Sequence, residues 1–202
     1  FRGLDASDPH KLKRDGQWNK RYLQEMKNWG ANIVRFPVHP MYWRGVGKEN
    51  YMKMLDEGIQ WATELQLYVI IDWHTIGNLR SELFQDPMYE TTQKETFEFW
   101  QHMAKRYGKN STVAFFELFN EPTLFHGKLG TCTWQEWRVL MEEIITIVRA
   151  HEANTVPLVA GFNWAYDLSE ALADPIRAEN VAYVSHPYPM KREKPWEHQW
   201  TN

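Results

Sequence analysis

The sequence predicts an α/β protein on a parallel sheet: a (β/α)8 barrel, with about six of the eight βα units present. Three observations predict it. Short, continuously apolar runs alternate with amphipathic helical stripes along the chain. No unit opens on a glycine-rich phosphate turn of the GxGxxG or GxxxxGK(S/T) kind, which argues against a doubly wound nucleotide fold. Polar or aromatic residues recur where the apolar runs emerge: Arg35, then Asp72 and His74, then Asn120 and Glu121, then Trp164, then His186 and Tyr188. Parallel geometry gathers such ends in space, and barrel enzymes place their chemistry there.

Each element follows from its pattern. FRGL at residues 1–4 reads as the tail of a first strand. Tyr22, Leu23, Met26 and Trp29 share one helical face, with Gly30 as its stop. ANIVRFPVH (31–39) reads as a buried strand that Pro37 ends. Leu55, Ile59, Ala62 and Leu65 form the next stripe, followed by the strand LYVIIDWH (67–74). Phe97, Trp100, Ala104 and Tyr107 mark a helix before the strand TVAFFELFNEP (112–122). Thr133 and Glu136 form a capping box ahead of Trp137, Leu140, Met141, Ile144, Ile145 and Val148. PLVAGFNW (157–164) is the fifth strand, Asp167 and Glu170 cap a short helix, and NVAYVSHPY (180–188) is the sixth. Arg138, Arg149 and Arg177 read as helix surface. The whole chain, 1–202, is expected to be part of one barrel domain, with no second domain.

Composition excludes several classes. A formal net charge of -3 gives no drive toward nucleic acid or an anionic membrane. No apolar run approaches the ~18 residues of a membrane span. The basic stretch MKREK (190–194) is short and reads as a solvated loop. One cysteine, Cys132, cannot pair within the chain, so redox compartment is not legible. Eleven tryptophans suit either a core of large rings or a cleft with flat stacking platforms. Trp43, Trp73, Trp164, Trp196 and Trp200 fall in or near the emerging loops, and the cleft reading assigns Trp43, Trp73, Trp164 and Trp196 to substrate. FRGLDASDPH carries no signal-peptide pattern, and both ends read as cuts in a longer chain.

Glu121 is the leading candidate for chemistry. A carboxyl at a barrel mouth under aromatic cover is expected to have a raised pKa and to serve as a general acid. Asn120 supplies a directional hydrogen bond beside it, and Pro122 fixes the turn. Glu117, four residues upstream, reads as structural and paired with an arginine, because an unpaired charge inside a parallel strand is costly. Arg35 forks onto a carboxylate, as a structural bridge or as an orienter of the site. His74 fits a core histidine, a metal ligand or a hydrogen-bond donor to sugar or carboxylate. A zinc site from His39, His74 and His186 is disfavoured, since no HExxH spacing is present, and no metal is expected. Tyr188 is placed to hydrogen-bond a carboxylate. No G-x-S-x-G elbow is present, and Cys132 has no adjacent base.

IVRFP, DWH, Asn-Glu-Pro and His-x-Tyr, in this order on successive strands, resemble the catalytic domain of glycoside hydrolase family 5, the large cellulase family of (β/α) barrels. The resemblance covers nearly the whole chain. It implies that Glu121 is the acid/base and that Asn120 contacts the 2-hydroxyl of the sugar being cleaved. It implies that Arg35 and Tyr188 position the nucleophile, and that His74 and His186 line the central subsite. Trp43 and Trp164 would help form the groove. It implies retaining hydrolysis of internal β-1,4 bonds in β-linked glucan or mannan, with no cofactor. Cellulose is the default substrate, and a polymeric substrate implies secretion. The family nucleophile is a glutamate at the end of a seventh strand. Glu193 and Glu197 do not match that position, so the nucleophile is expected from a missing C-terminal segment of the same polypeptide. The alternative is an inactive, carbohydrate-binding remnant.

Overall fold

The computed structural model describes residues 1–188. Six strands form one all-parallel sheet: β1 (Gly3–Asp5), β2 (Ile33–Val38), β3 (Tyr68–Trp73), β6 (Val113–Glu117), β8 (Val156–Ala160) and β9 (Ala182–Val184), hydrogen-bonded in chain order. Between them run α1 (Pro9–Arg14), α2 (Lys20–Asn28), α3 (Pro40–Val46), α4 (Lys48–Glu64), α5 (Gln93–Tyr107) and α6 (Trp134–Arg149). Neighbouring strands are neighbours in sequence, the order of a barrel wall rather than of a doubly wound sheet. This is the six-stranded parallel arrangement that the apolar runs predict.

Helix boundaries follow local chemistry. Asn19 caps α2 through the Tyr22 amide, and Thr133 with Glu136 closes the predicted capping box at α6. The cap predicted at Asp167 and Glu170 takes another form. The short helix Ser169–Ala173 has Leu168 at its N-cap, and Asp167 Oδ1 accepts from the Ser169 amide instead.

Pro37 does not end its strand. It pairs with Asp72, and β2 runs on to Val38. Arg35 O accepts from the Ala6 amide, so Arg35 and, two residues on, Pro37 turn their backbone toward β1. β1 stops at Asp5, so the N–H that proline lacks has no ladder partner to miss.

Strand alternation divides the side chains. Val34, Phe36, Val38, Ile71, Trp73 and Phe116 are buried on the helix-facing side. Four tryptophans anchor this layer. Trp73 stacks on Phe99 at 4.1 Å and donates to Thr96. Trp43 meets Phe99 edge-on at 5.1 Å. The indoles of Trp100 and Trp137 donate to the carbonyls of Leu118, just past β6, and Ala160, the last residue of β8. Trp43 and Trp73, predicted to line a groove, are 1% and 0% exposed. They are core residues: Trp73 follows Asp72 in a strand and so faces the opposite side from it, and Trp43 lies on the inner face of α3.

Arg138 likewise departs from its predicted surface position. It is 3% exposed, with Nε donating to Asp174 and Nη1 to Glu142.

Above the C-terminal strand ends lies a small second sheet that short-range periodicity does not reveal. It comprises β4 (Ile76–Asn78), β5 (Leu83–Phe84) and β7 (Glu121–Pro122) in the order β5-β4-β7. Gly77 is required there: a Cβ would sit 2.6 Å from the Leu83 carbonyl oxygen.

Candidate active site

The apolar run 115–119 ends in a backbone that is irregular but fully anchored. After β6, the amides of Asn120, Glu121 and Thr123 donate to the carbonyls of Trp73, Thr75 and Gly77. Pro122 falls between two of these donors, so its missing N–H costs nothing. The Asn120 amide side chain adds a bond to the Thr75 carbonyl at 3.3 Å. Glu121 is therefore held at the rim of the parallel sheet by the second sheet.

The opposite wall is built on strain. Asn163, Trp164 and Ala165 all adopt left-handed backbone (φ 58°, 58° and 59°), at about 1–2 kcal/mol each for residues with a Cβ. Gly161 permits the tight loop, since a Cβ there would meet the Asp167 carbonyl oxygen at 1.9 Å. The turn positions the last site residues: Ala165 O accepts from the His186 amide at 2.9 Å, and Tyr166 Oη donates to the Tyr188 carbonyl at 2.9 Å.

These elements bring together Arg35, His74, Asn120, Glu121, His186 and Tyr188, from four strand ends. Arg35 Nε and Nη2 fork onto Glu117 at 2.7 and 2.8 Å, and Nη2 also donates to Asn120 Oδ1 at 2.7 Å. The carboxylate expected for Arg35 and the arginine expected for Glu117 are each other, joined as a bidentate bridge. His186 spans the two glutamates, with Nε2 3.1 Å from Glu117 Oε1 and Nδ1 3.2 Å from Glu121 Oε1. Tyr188 Oη donates to Glu121 Oε1 at 2.8 Å. A cleft is lined by Asp5, Arg35, His74, Asn120, His186 and Tyr188.

The electrostatics follow from these contacts. Burial disfavours charge on His186, but its bonds to Glu117 and Glu121 outweigh burial and push its pKa up to about 9. It is an imidazolium near neutral pH, donating from both ring nitrogens. Burial alone would raise the Glu117 carboxyl; the Arg35 charge and the His186 bond bring it down to about 2. For Glu121 burial also raises, yet the hydrogen bonds from His186 and Tyr188 prevail and hold it below the usual carboxylate value. The raised pKa expected from aromatic cover is thus reversed, because the rings nearest to Glu121 carry polar donors.

The tryptophans divide. Trp164 is half-buried and donates from Nε1 to Gln85 Oε1 at 2.9 Å, with Phe125 and His126 at its edge. Trp196, Trp200, Glu193 and Glu197 lie outside the described residues. Sequence reasoning passed over Tyr89. It is half-buried, lies 6.1 Å from His74 and stacks on His39 at 6.0 Å. It also missed Asp5, which the strand-end rule applied to FRGLD would have found. Nothing in the local pattern signals Tyr89. His39 pairs with buried Asp8 at 2.9 Å, and no metal-binding group of three or more acidic, histidine or cysteine residues occurs among the described residues.

The sequence profile of the cellulase family, glycosyl hydrolase family 5, matches residues 7–201. The chain belongs to glycosyl hydrolase family 5. Endoglucanase A of Butyrivibrio fibrisolvens is 31% identical over 79% of this chain and 35% of its own length. Endoglucanase A of Evansella cellulosilytica is 25% identical over 92% of this chain and 36% of its own. The chain thus spans about a third of these curated relatives. Among solved structures, the β-glucanase SdGluc5_26A of Saccharophagus degradans, in complex with cellotetraose, superimposes with a TM-score of 0.95 at 44% identity. That match covers 99% of this chain and 63% of the β-glucanase. The catalytic domain of endoglucanase Cel5A from Thermobifida fusca shares the fold, with a TM-score of 0.77 at 21% identity over 98% of this chain. The six-stranded wall is that of the family's (β/α)8 barrel.

Proposed function

We propose that this family 5 chain forms the acid/base side of a retaining endo-β-1,4-glucanase active site, acting on polysaccharide outside the cell. The observation that carries the reading is the cleft at the strand ends lined by Arg35, His74, Asn120, His186 and Tyr188, the last two of them hydrogen-bonded to Glu121. The endoglucanase relatives and the cellotetraose-bound β-glucanase support a β-glucan substrate.

Glu121 takes the acid/base role. It protonates the leaving glycosidic oxygen, then activates water against the glycosyl-enzyme bond. Its depressed pKa suits the second step as it stands. The first step needs a proton, and the negative charge of a second carboxylate at about 5–5.5 Å would push the Glu121 pKa upward, in the direction that step requires. Glu117 is unsuited to be that carboxylate, being 1% exposed with both oxygens taken up by Arg35. We assign the nucleophile to the seventh-strand glutamate of the family pattern. We assign to Asn120 the bond to the 2-hydroxyl, and to Trp164 the stacking on a sugar ring.

The test is reducing-sugar release from carboxymethyl cellulose and from β-mannan by residues 1–202 and by a longer form carrying the seventh strand. The expected result is hydrolysis of the cellulose by the longer form only. Hydrolysis by the short chain would overturn the assignment of the nucleophile. Preference for mannan would overturn the glucan assignment. A folded longer form inert on both would favour the carbohydrate-binding alternative.

A further inference from the structure

Among the described residues, the ion network leaves one buried carboxyl with a single hydrogen-bond partner. Asp72 is 0% exposed. Arg35 has five N–H donors. Nε and one Nη2 hydrogen go to Glu117, the other Nη2 hydrogen goes to Asn120, and Nη1 turns to the two Asp5 oxygens. Nη2 stands 2.9 Å from Asp72 Oδ2 with both of its hydrogens committed elsewhere. The remaining short contact of Asp72 is with His74, whose Nδ1 lies 2.6 Å from Oδ2. Oδ1 has no hydrogen-bond partner among the described residues.

An ionised carboxylate with one bare oxygen in a dry interior is strongly disfavoured, while a neutral carboxyl needs far less solvation. The surrounding charges agree. Arg35 on β2 and the His186 imidazolium already balance Glu117 on β6 and Glu121, while Asp5 on β1 keeps a solvated side chain, 60% exposed. A third buried anion would find no cation of its own. Burial, reinforced by Glu117, raises the Asp72 pKa well above its usual value despite the Arg35 charge. Burial, with the charges of Arg35 and His39, pushes His74 down to about 3, so its ring is neutral.

We propose that Asp72 is a neutral carboxylic acid whose Oδ2–H donates to His74 Nδ1, holding His74 as the Nε2–H tautomer. The Nε2 nitrogen has no partner among the described residues, and His74 lines the cleft. Asp72 is thus a positioning residue that sets the polarity of His74. The imidazole offers a donor to an acceptor such as a sugar hydroxyl oxygen. An ionised Asp72 would fix the proton on Nδ1 and make Nε2 an acceptor instead. The role toward sugar rests on the proposed function; the tautomer does not.

The test is a two-bond proton–nitrogen correlation spectrum of the 202-residue chain, ¹⁵N-labelled in its histidine rings, at pH 7. The His74 signals are assigned by their loss in His74→Phe. The expected pattern is a protonated Nε2 and a bare Nδ1. A proton on Nδ1, or on both nitrogens, overturns the proposal, and the wild-type spectrum alone decides. An infrared difference spectrum against Asp72→Asn is expected to show the carbonyl stretch of a protonated acid at pH 7; its absence overturns the proposal equally. Neither measurement involves hydrolysis, so loss of the proposed activity would leave both results standing.

Discussion

Glu117 and Glu121 leave the same apolar run four residues apart and end in opposite environments. Glu117 is the last residue of β6 and is gripped by the Arg35 fork below and His186 above. Glu121 sits beyond the sheet, and both side-chain bonds to it come from the segment 186–188. One carboxylate is built into the wall and the other is held out at the rim. The difference shows how one stretch of chain can separate stability from chemistry: the carboxylate forked by Arg35 within the sheet stabilises, and the one held past the strand end by His186 and Tyr188 is left to react.

The sharpest way to break this comparison is Glu121→Gln in a form carrying both carboxylates. Hydrolysis of polymeric glucan is expected to fall by roughly 10²–10⁴-fold, the usual worth of a general acid/base, with the fold retained and the urea midpoint moved less than by the loss of Glu117. Near-wild-type turnover would end the assignment. Glu117→Ala should do the reverse to the fold. It strands a buried guanidinium, and unfolding free energy is expected to drop by about 3–5 kcal/mol. Equilibrium urea unfolding of the two variants side by side tests whether the pair divides as described.

The pH dependence of stability sharpens the comparison further. His186 is raised in the folded state to about 9, so its contribution is full below the ordinary histidine value and is lost as pH rises through about 9. Glu117 is depressed to about 2, so its contribution is full above the ordinary glutamate value and is lost as pH falls toward 2. His186→Gln is expected to flatten the alkaline limb of the urea-midpoint profile. A limb that survives unchanged would locate its source elsewhere. The smallest effect expected is from Tyr188→Phe. Tyr188 is 42% exposed, so stability should move by no more than about 1 kcal/mol, while the Glu121 pKa rises for want of a donor. A ¹³C titration of the Glu121 carboxyl reads that shift.

The wall of the barrel was legible because a strand buried on both faces is apolar throughout, and the six runs were read at nearly their true positions. So was the need of Arg35 for a carboxylate and of Glu117 for an arginine, since neither charge could be buried alone; that each is the other's partner is visible only in the structure. The tryptophans were not legible from their place in the chain. Trp73 and His74 both lie at a strand end, and the period of two that sends Asp72 inward sends Trp73 to the helices. Composition counts rings but gives no direction. The small sheet of β4, β5 and β7 was hidden because strands of two or three residues carry no period. The Glu121 pKa was misjudged because its neighbours His186 and Tyr188 lie more than sixty residues away, and the sense of their hydrogen bonds exists only in three dimensions.

The saturation of Arg35 bears on how this site can change over time. Glu117, Asn120 and Asp5 between them accept from all three nitrogens of the guanidinium. A lysine in its place brings three donors on one atom and cannot fork. Shortening Glu117 or removing the Asn120 amide would leave a donor idle in the dry interior. Single replacements of Arg35, Glu117 or Asn120 are expected to destabilise, which favours concerted drift there. Anyone diversifying this cleft should randomise Arg35, Glu117 and Asn120 within the same clone, since scanning them one at a time would sample only broken intermediates.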